Sequence, residues 1–218
     1  AVEFPCIRTE AIYPCPAMEA ALDQLTEYEW LGFTSAAGVD AFWTCLRDMG
    51  KDARALGGVK LAAIGPATGK ALETHGLTAD LIPAVCNAAH MGGALAETAA
   101  GRVLLLRAEE GSPALTDALA AAGVPYDDIA VYRTIYDNPR SLALREELEA
   151  GRFDYVTFTS ASTVKGFVSA IGEDADFSRF TGLCIGKQTA GEAEKHHISV
   201  KTAGKAAIDA LVELALEK

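Results

Sequence analysis

Two stretches of this chain repeat one another. Trp30-Leu31-Gly32-Phe33-Thr34-Ser35 returns 125 positions later (160 against 35) as Tyr155-Val156-Thr157-Phe158-Thr159-Ser160. Each reads as a short, nearly all-apolar strand that stops at a Thr-Ser pair. Apolar residues then recur at i, i+3, i+4 and i+7. They are Val39, Phe42, Trp43 and Leu46 in the first copy and Val164, Phe167, Val168 and Ile171 in the second, again 125 apart (164 against 39). That spacing puts four apolar side chains on one helical face. A buried strand, a hydroxyl-bearing turn and an amphipathic helix are the parts of an α/β unit. A chain that carries the unit twice in register is internally duplicated. Strands alternating with helices require parallel sheets covered on both faces.

The 218 residues suit one large domain or two of about 100 residues each. Half of them are hydrophobic, enough for a sizeable core. No apolar run approaches the ~18 residues of a membrane span. The opening Ala1-Val2-Glu3-Phe4-Pro5 has neither the basic region nor the apolar core of a signal peptide. Five cysteines (Cys6, Cys15, Cys45, Cys86, Cys184), with no Cys-x-x-Cys pair, favour reduced thiols in a cytoplasmic protein over a disulfide frame or zinc site. The net charge of −11, with no basic run, argues against nucleic acid as a partner. An acidic protein can still hold anions through helix N-termini and a few placed cations.

In chain order, Val2 to Ile7 is predicted as a strand cut short by Pro5. A helix follows with Met18, Ala21, Leu22 and Leu25 on one face, then the first repeat unit, closed by Gly50. Leu61 to Gly65 is predicted as a strand, with Thr68 at the N-cap of a helix ending at Gly76. A short strand is expected over Ala79–Pro83 and a helix over Ala88–Ala100. Arg102 to Arg107 is the clearest buried strand, and Ser112-Pro113 opens the helix of Leu115 and Leu119. Strand Ile129–Thr134, helix Ser141–Ala150, the second repeat unit, strand Leu183–Gly186, a helix into His196, strand Ser199–Lys201 and helix Lys205–Glu217 complete the reading. The repeat extends beyond its seed. Arg8-Thr9 matches Arg133-Thr134 at 125, while Ile64-Gly65, Thr68 and His75 match Ile185-Gly186, Thr189 and His196 at 121 (185 against 64). The four-residue change falls in a loop, where length differences cost little. The second copy owns an early strand and helix, Arg102 to Gly123, whose counterpart would precede residue 1. The chain therefore reads as beginning one β-α unit late.

Ligands of such folds sit beyond the carboxyl ends of the strands, so a bidomain version would hold its ligand in the cleft between halves. Four turns stand at strand ends: Thr34-Ser35, Pro66-Ala67-Thr68, Thr159-Ser160-Ala161-Ser162 and Lys187-Gln188-Thr189. Each supplies hydroxyls and the free N–H groups of a helix start, an anion-binding arrangement. The same Ser35, Thr68, Ser160 and Thr189 could simply cap helices, each contributing about 1 kcal/mol. Tyr132 stands where the first copy has Ile7, and a phenol in one half only suggests a single asymmetric site. Arg107 and Lys187, near strand ends, could pair with an anionic ligand or be solvated. His75 and His196 at helix ends read as structural. His90 and His197 share no ligand-like spacing with them, and Cys6, Cys45 and Cys184 read as core. Hydrolase, NTPase and dinucleotide-binding motifs are absent from the sequence.

Phe-Thr-Ser-Ala-Ala-Gly-Val (33–39), Ala-Ile-Gly-Pro-Ala-Thr (63–68), Val-Tyr-Arg-Thr (131–134), Phe-Thr-Ser-Ala-Ser (158–162) and Ile-Gly-Lys-Gln-Thr-Ala (185–190) resemble the uroporphyrinogen-III synthase family in sequence and order. The resemblance spans nearly the whole chain. It departs in two places: the family's opening strand and helix are missing, and Lys187-Gln188 replaces Pro and a small residue. The resemblance implies two flavodoxin-like, three-layer α/β domains joined by a two-stranded β ladder. The contiguous domain would be 13–127. The discontinuous one would be 137–218 plus the missing unit, with 1–12 and 128–136 as connectors. It implies a cofactor-free lyase, a cytoplasmic monomer that closes linear hydroxymethylbilane to uroporphyrinogen III. Water is lost and the D ring is inverted through a spiro intermediate. Tyr132 would be catalytic, and Ser35, Thr68, Arg107, Ser160, Ser162 and Thr189 would contact the eight substrate carboxylates. Two other readings of the chain are a non-enzymatic sensor of anionic small molecules on the same fold and a nucleotide-sugar transferase. The first would be expected to carry an appended signalling segment, the second a strand-end acidic site; neither feature stands out.

Overall fold

The computed structural model of the chain describes residues 1–136 and 141–216. Residues 137–140, where the second domain was expected to begin, and Glu217 and Lys218 at the end of the last expected helix, lie outside the described residues. The chain divides into two compact units, Thr9–Thr134 and Ala1–Arg8 with Ile135–Lys218.

The Thr9–Thr134 unit is built on a five-stranded sheet. In chain order its elements are β1 (Arg8–Ala11), α1 (Pro16–Asp23), β2 (Tyr28–Phe33), α2 (Ala36–Asp48), β3 (Lys60–Ala63), α3 (Pro66–Glu73), α4 (Ala88–Thr98), β4 (Arg102–Ala108), α5 (Pro113–Ala121) and β5 (Tyr126–Ile135). Strand order is β1-β5-β4-β2-β3, and the β5–β4, β4–β2 and β2–β3 ladders are all parallel. Leaving out β1, this is the doubly wound order in which connections reverse direction between β2 and β4. Side chains alternate across the sheet as a strand period of two demands. Leu31, Phe33, Leu104 and Leu106 pack with Met18, Leu22, Phe42, Leu46 and Leu72 of α1, α2 and α3. Trp30, Val103 and Leu105 pack with Met91, Leu95, Leu115 and Leu119 of α4 and α5. The sheet is thus covered on both faces.

The second unit contains α6 (Ser141–Glu149), β6 (Tyr155–Phe158), α7 (Ala161–Ile171), β7 (Thr181–Cys184), α8 (Lys187–Lys195), β8 (Ser199–Thr202) and α9 (Ile208–Leu216). Its sheet has the order β6-β7-β8, all parallel. One face carries Phe158 and Cys184 against Val164, Phe167, Val168, Ile171, Ala190 and Ala193 of α7 and α8. The other carries Leu183 against Leu211 of α9. The duplication is reproduced residue by residue. Trp30↔Lys60 and Phe33↔Ala63 across β2 and β3 become Tyr155↔Thr181 and Phe158↔Cys184 across β6 and β7. Ile64 N donates to Phe33 O at 3.0 Å, and Ile185 N donates to Phe158 O at 3.0 Å. Gly76 ends its helix at φ +74°, and the residue at the matching place, His197, takes the same left-handed turn at φ +59°.

Two expected strands differ. Val2–Ile7 forms none; the strand starts at Arg8. Pro5 has no N–H to give a ladder. Instead Phe4, Cys6 and Ile7 pack by their side chains on the α7 core, and Cys6 Sγ donates to Thr163 O at 3.3 Å. The stretch expected over Ala79–Pro83 is reduced to one bridge, Ala62↔Leu81. There the Asp80 carboxylate accepts from Leu61 N at 2.8 Å, using a donor that a longer ladder would need.

The segment before β1 seats on a glycine. A Cβ at Gly166 would stand 2.4 Å from Ile7 Cγ2 and 2.6 Å from the Cys6 carbonyl oxygen. Gly166→Ala is expected to destabilise the protein by about 1–3 kcal/mol, the usual range for overpacking a filled site. Gly191→Ala, with open space around its Cβ, is the control and should be neutral or stabilising, since alanine favours a helix over glycine. Urea midpoints that move alike for the two variants would count against this packing.

Candidate functional site

The sequence candidates of the Thr9–Thr134 unit gather at one end of its sheet, the carboxyl ends of β2, β3, β4 and β5. Ser35 follows β2. Its backbone is extended, and its half-buried Oγ accepts from Gly38 N at 3.0 Å, capping α2. Thr68 follows β3 but is not the cap. Pro66 occupies the first helical position, as its fixed φ favours. That makes Gly65 the N-cap, with no side chain to bond the turn. Thr68 stands at the third helical position, 4 % exposed, and its hydroxyl has no hydrogen-bond partner among the described residues.

Tyr132 comes to this edge through a bulge. Arg107 pairs with Ala130, but the next pair is Ala108 with Tyr132, so Val131 is the extra residue. A bulge re-aims the side chains beside it. The buried Tyr132 joins a cavity of about 230 Å³ that is also lined by Thr9, Tyr13, Asp40 and Thr44. Among the described residues its hydroxyl has no partner. Ser35, Thr68 and Arg107 do not line that cavity. Tyr13, unremarked in the sequence, is the second phenol here. A hydrogen bond to Asp48 is the main cause of its raised pKa, with that carboxylate's charge adding to it.

Arg107 is committed elsewhere. It is 6 % exposed; its Nε donates to Asp128 Oδ1 at 2.7 Å, Nη2 to Asp128 Oδ2, and Nη1 to Ser112 O at 2.6 Å. The Asp128 hydrogen bonds raise its pKa further. This fork ties β4 and β5 to the turn that opens α5.

In the other unit the same sheet edge carries Ser160, Ser162 and Thr189. Ser160 caps α7 in a reciprocal box: its Oγ accepts from Thr163 N at 3.1 Å, and its own N donates to Thr163 Oγ1 at 3.1 Å. Ser162 Oγ lies 2.9 Å from Ser160 Oγ. Thr189 repeats Thr68: Gly186 is the cap, and Thr189 is 4 % exposed with an unpartnered hydroxyl among the described residues. Lys187 and Gln188 do not change this geometry.

The cysteines Cys6, Cys15, Cys45 and Cys184 are buried and Cys86 is exposed, all as free thiols. Burial pushes the Cys45 and Cys184 thiols up to about 11. His75 stacks on Trp43 at 4.5 Å. Among the described residues no group of acidic, His and Cys side chains could hold a metal ion. No described helix is long and apolar enough to cross a membrane.

Parallel sheets with hydroxyl-bearing helix starts at their carboxyl ends, in two matched copies, define a duplicated α/β protein. The model of one family, described as uroporphyrinogen-III synthase HemD, matches residues 1–213, and the chain belongs to that family. It is 33 % identical over 218 residues to the porphyrin biosynthesis protein HemD of Ruminiclostridium josui, covering 99 % of this chain and 43 % of that protein. The chain thus spans less than half the length of that relative. It is 28 % identical over 206 residues to the uroporphyrinogen-III synthase of Chlorobaculum parvum, covering 91 % of this chain and 80 % of that one. Among solved structures, a mutant uroporphyrinogen III synthase of Thermus thermophilus matches with TM-score 0.68 at 20 % identity, over 98 % of this chain and 87 % of that one. The Helicobacter pylori uroporphyrinogen-III synthetase matches with TM-score 0.67 at 21 % identity, over 98 % and 91 %. At these identities the structures speak for the fold.

Proposed function

We propose that this chain is a lyase that closes hydroxymethylbilane to uroporphyrinogen III, with loss of water and inversion of the D ring, acting as a cytoplasmic monomer. Family membership over residues 1–213 supports this reading of the reaction. The observation that carries its assignment to these residues is Tyr132, which lines a cavity at the carboxyl end of the sheet and whose hydroxyl has no partner among the described residues. Tyr132 protonates or orients the departing hydroxyl. That leaves an azafulvene cation, which attack at the substituted D-ring carbon turns into a spiro intermediate. A phenol is a weak acid, so its share is moderate and positioning carries much of the rate.

The substrate's carboxylates need many separate donors. Thr68 and Thr189 have hydroxyls with no partner among the described residues, beside helix-start N–H groups that have no intrahelical acceptor, which favours them as contacts. Ser35, Ser160 and Ser162 add hydroxyls whose lone pairs already serve caps or one another. Arg107 contributes through the turn before α5, which its fork holds in place.

Protein supplied with hydroxymethylbilane as it is formed should yield the type III isomer in excess of type I, the product of spontaneous closure. Tyr132→Phe is expected to lower that rate about a hundredfold, the low end for a positioned proton donor. A wild-type rate in this variant would remove Tyr132 from the mechanism. Type I alone from folded protein would remove the reaction.

A further inference from the structure

We propose that Cys86 is a covalent modification site, where a mixed disulfide with a small thiol closes the carboxylate-binding turn at the start of α3. The proposal rests on the reading of that turn given above. A Cβ built on Gly65 would lie 3.1 Å from Cys86 Cβ and 3.2 Å from Cys86 Sγ, so the thiol sits against the N-cap of α3. At this helix start the N–H groups of Ala67 and Thr68 fall where no intrahelical acceptor exists, and Pro66 has none. An independent feature marks the same turn as a place for a ligand. Thr68 is 4 % exposed, its hydroxyl has no partner among the described residues, and helical Cα–Cβ bonds tilt toward the N-terminus, which leans its side chain back toward Gly65.

Reactivity follows from exposure. Cys86 is the exposed thiol; Cys6, Cys15, Cys45 and Cys184 are 8 %, 4 %, 1 % and 0 % exposed. Inert buried cysteines leave one accessible nucleophile. The duplicated turn is different. A Cβ on Gly186 would meet nothing within 4 Å, and the chain has Ala207 where the offset of 121 from Cys86 falls. A thiol therefore sits against one of two otherwise matched turns. In the reaction the Cys86 thiolate attacks one sulfur of a low-molecular-weight disulfide. The reagent's S–S bond breaks, a Cys86–S–S–R bond forms, and the other half leaves as a thiolate that takes up the proton. The added group covers the helix start and repels or displaces a carboxylate there.

The test treats the full chain with oxidised glutathione and reads mass and binding. One glutathione should add, mapped to Cys86, absent in Cys86→Ser and removed by dithiothreitol. Binding of uroporphyrin, followed by its fluorescence, should weaken at least about tenfold in the adduct, the factor given by 1.4 kcal/mol, while Cys86→Ser binds normally with or without treatment. An adduct that forms no faster at Cys86 than at the buried cysteines overturns the proposal. So does an adduct that leaves uroporphyrin binding unchanged, or untreated protein that does not bind uroporphyrin. The isomer ratio is a separate readout: a type I product with binding still lost in the adduct would sink the proposed reaction and leave the modification site standing.

Discussion

Phe167→Ala is expected to cost about 3–5 kcal/mol, the range for truncating a buried aromatic ring. Phe167 is 3 % exposed at the centre of α7's inward face. Its ring stands 5.4 Å from Phe158, 5.8 Å from Phe180, 6.2 Å from Phe177 and 6.4 Å from Phe4, mostly edge to face. Edge-to-face pairs add to burial through the ring quadrupole, so the loss exceeds that of an aliphatic residue of the same area. The surroundings cannot easily fill the gap. Four rings fixed by β6, by the 177–180 segment and by the chain before β1 would have to move together. The second face of this sheet offers little in compensation, since its buried cluster is Leu183, Ala203 and Leu211. Both tryptophans, Trp30 and Trp43, belong to the Thr9–Thr134 unit. Their fluorescence therefore reports that unit, while circular dichroism reports all helices. In urea the dichroism midpoint should fall further than the fluorescence midpoint. A loss below about 1 kcal/mol by dichroism would mean that the aromatic cluster is not the core of its unit.

What was readable in the sequence was local and periodic. The stripe Val164, Phe167, Val168 and Ile171 is buried because strand and helix periods act within a dozen residues. Its offset from Val39, Phe42, Trp43 and Leu46 carried the duplication. Features that needed a partner far along the chain were not readable. Arg107 looks like a free strand-end cation until Asp128, 21 residues on, is seen to take two of its donors. Tyr132 could be singled out by its asymmetry with Ile7, but its entry into a cavity depends on a bulge against Arg107 and Ala108 that no period reveals. Tyr13 joins that cavity from the turn before α1, and Asp40 and Thr44 join it from successive turns of α2. Thr68 is a different case. The proline at the first helical position could have marked Gly65 as the cap. That reading, carried to Thr189 by the 121-residue repeat, would have set the two threonines apart from the capping serines.

Arg107→Met should destabilise the protein by about 3 kcal/mol, the lower bound for breaking a buried ion pair, because Asp128 keeps 32 % of its side chain exposed. The variant leaves the Asp128 carboxylate without its bidentate partner and the Ser112 carbonyl without its donor. Arg107→Lys keeps the charge but loses the fork, and should fall between. The readout that separates a structural role from substrate contact is kinetic. At a temperature where the variant stays folded, a strut should leave KM nearly unchanged, whereas a carboxylate contact should raise KM with stability intact. Gly111 gives a second, charge-neutral handle. A Cβ there would lie 2.4 Å from Arg107 Nη1 and 2.7 Å from its Cζ, so Gly111→Ala must push the guanidinium out of its place. If both changes act on the same fork, the double variant should lose clearly less than the two single losses combined, by at least about 0.5 kcal/mol of coupling. Strict additivity would mean that the Gly111 turn and the Asp128 pair are held independently.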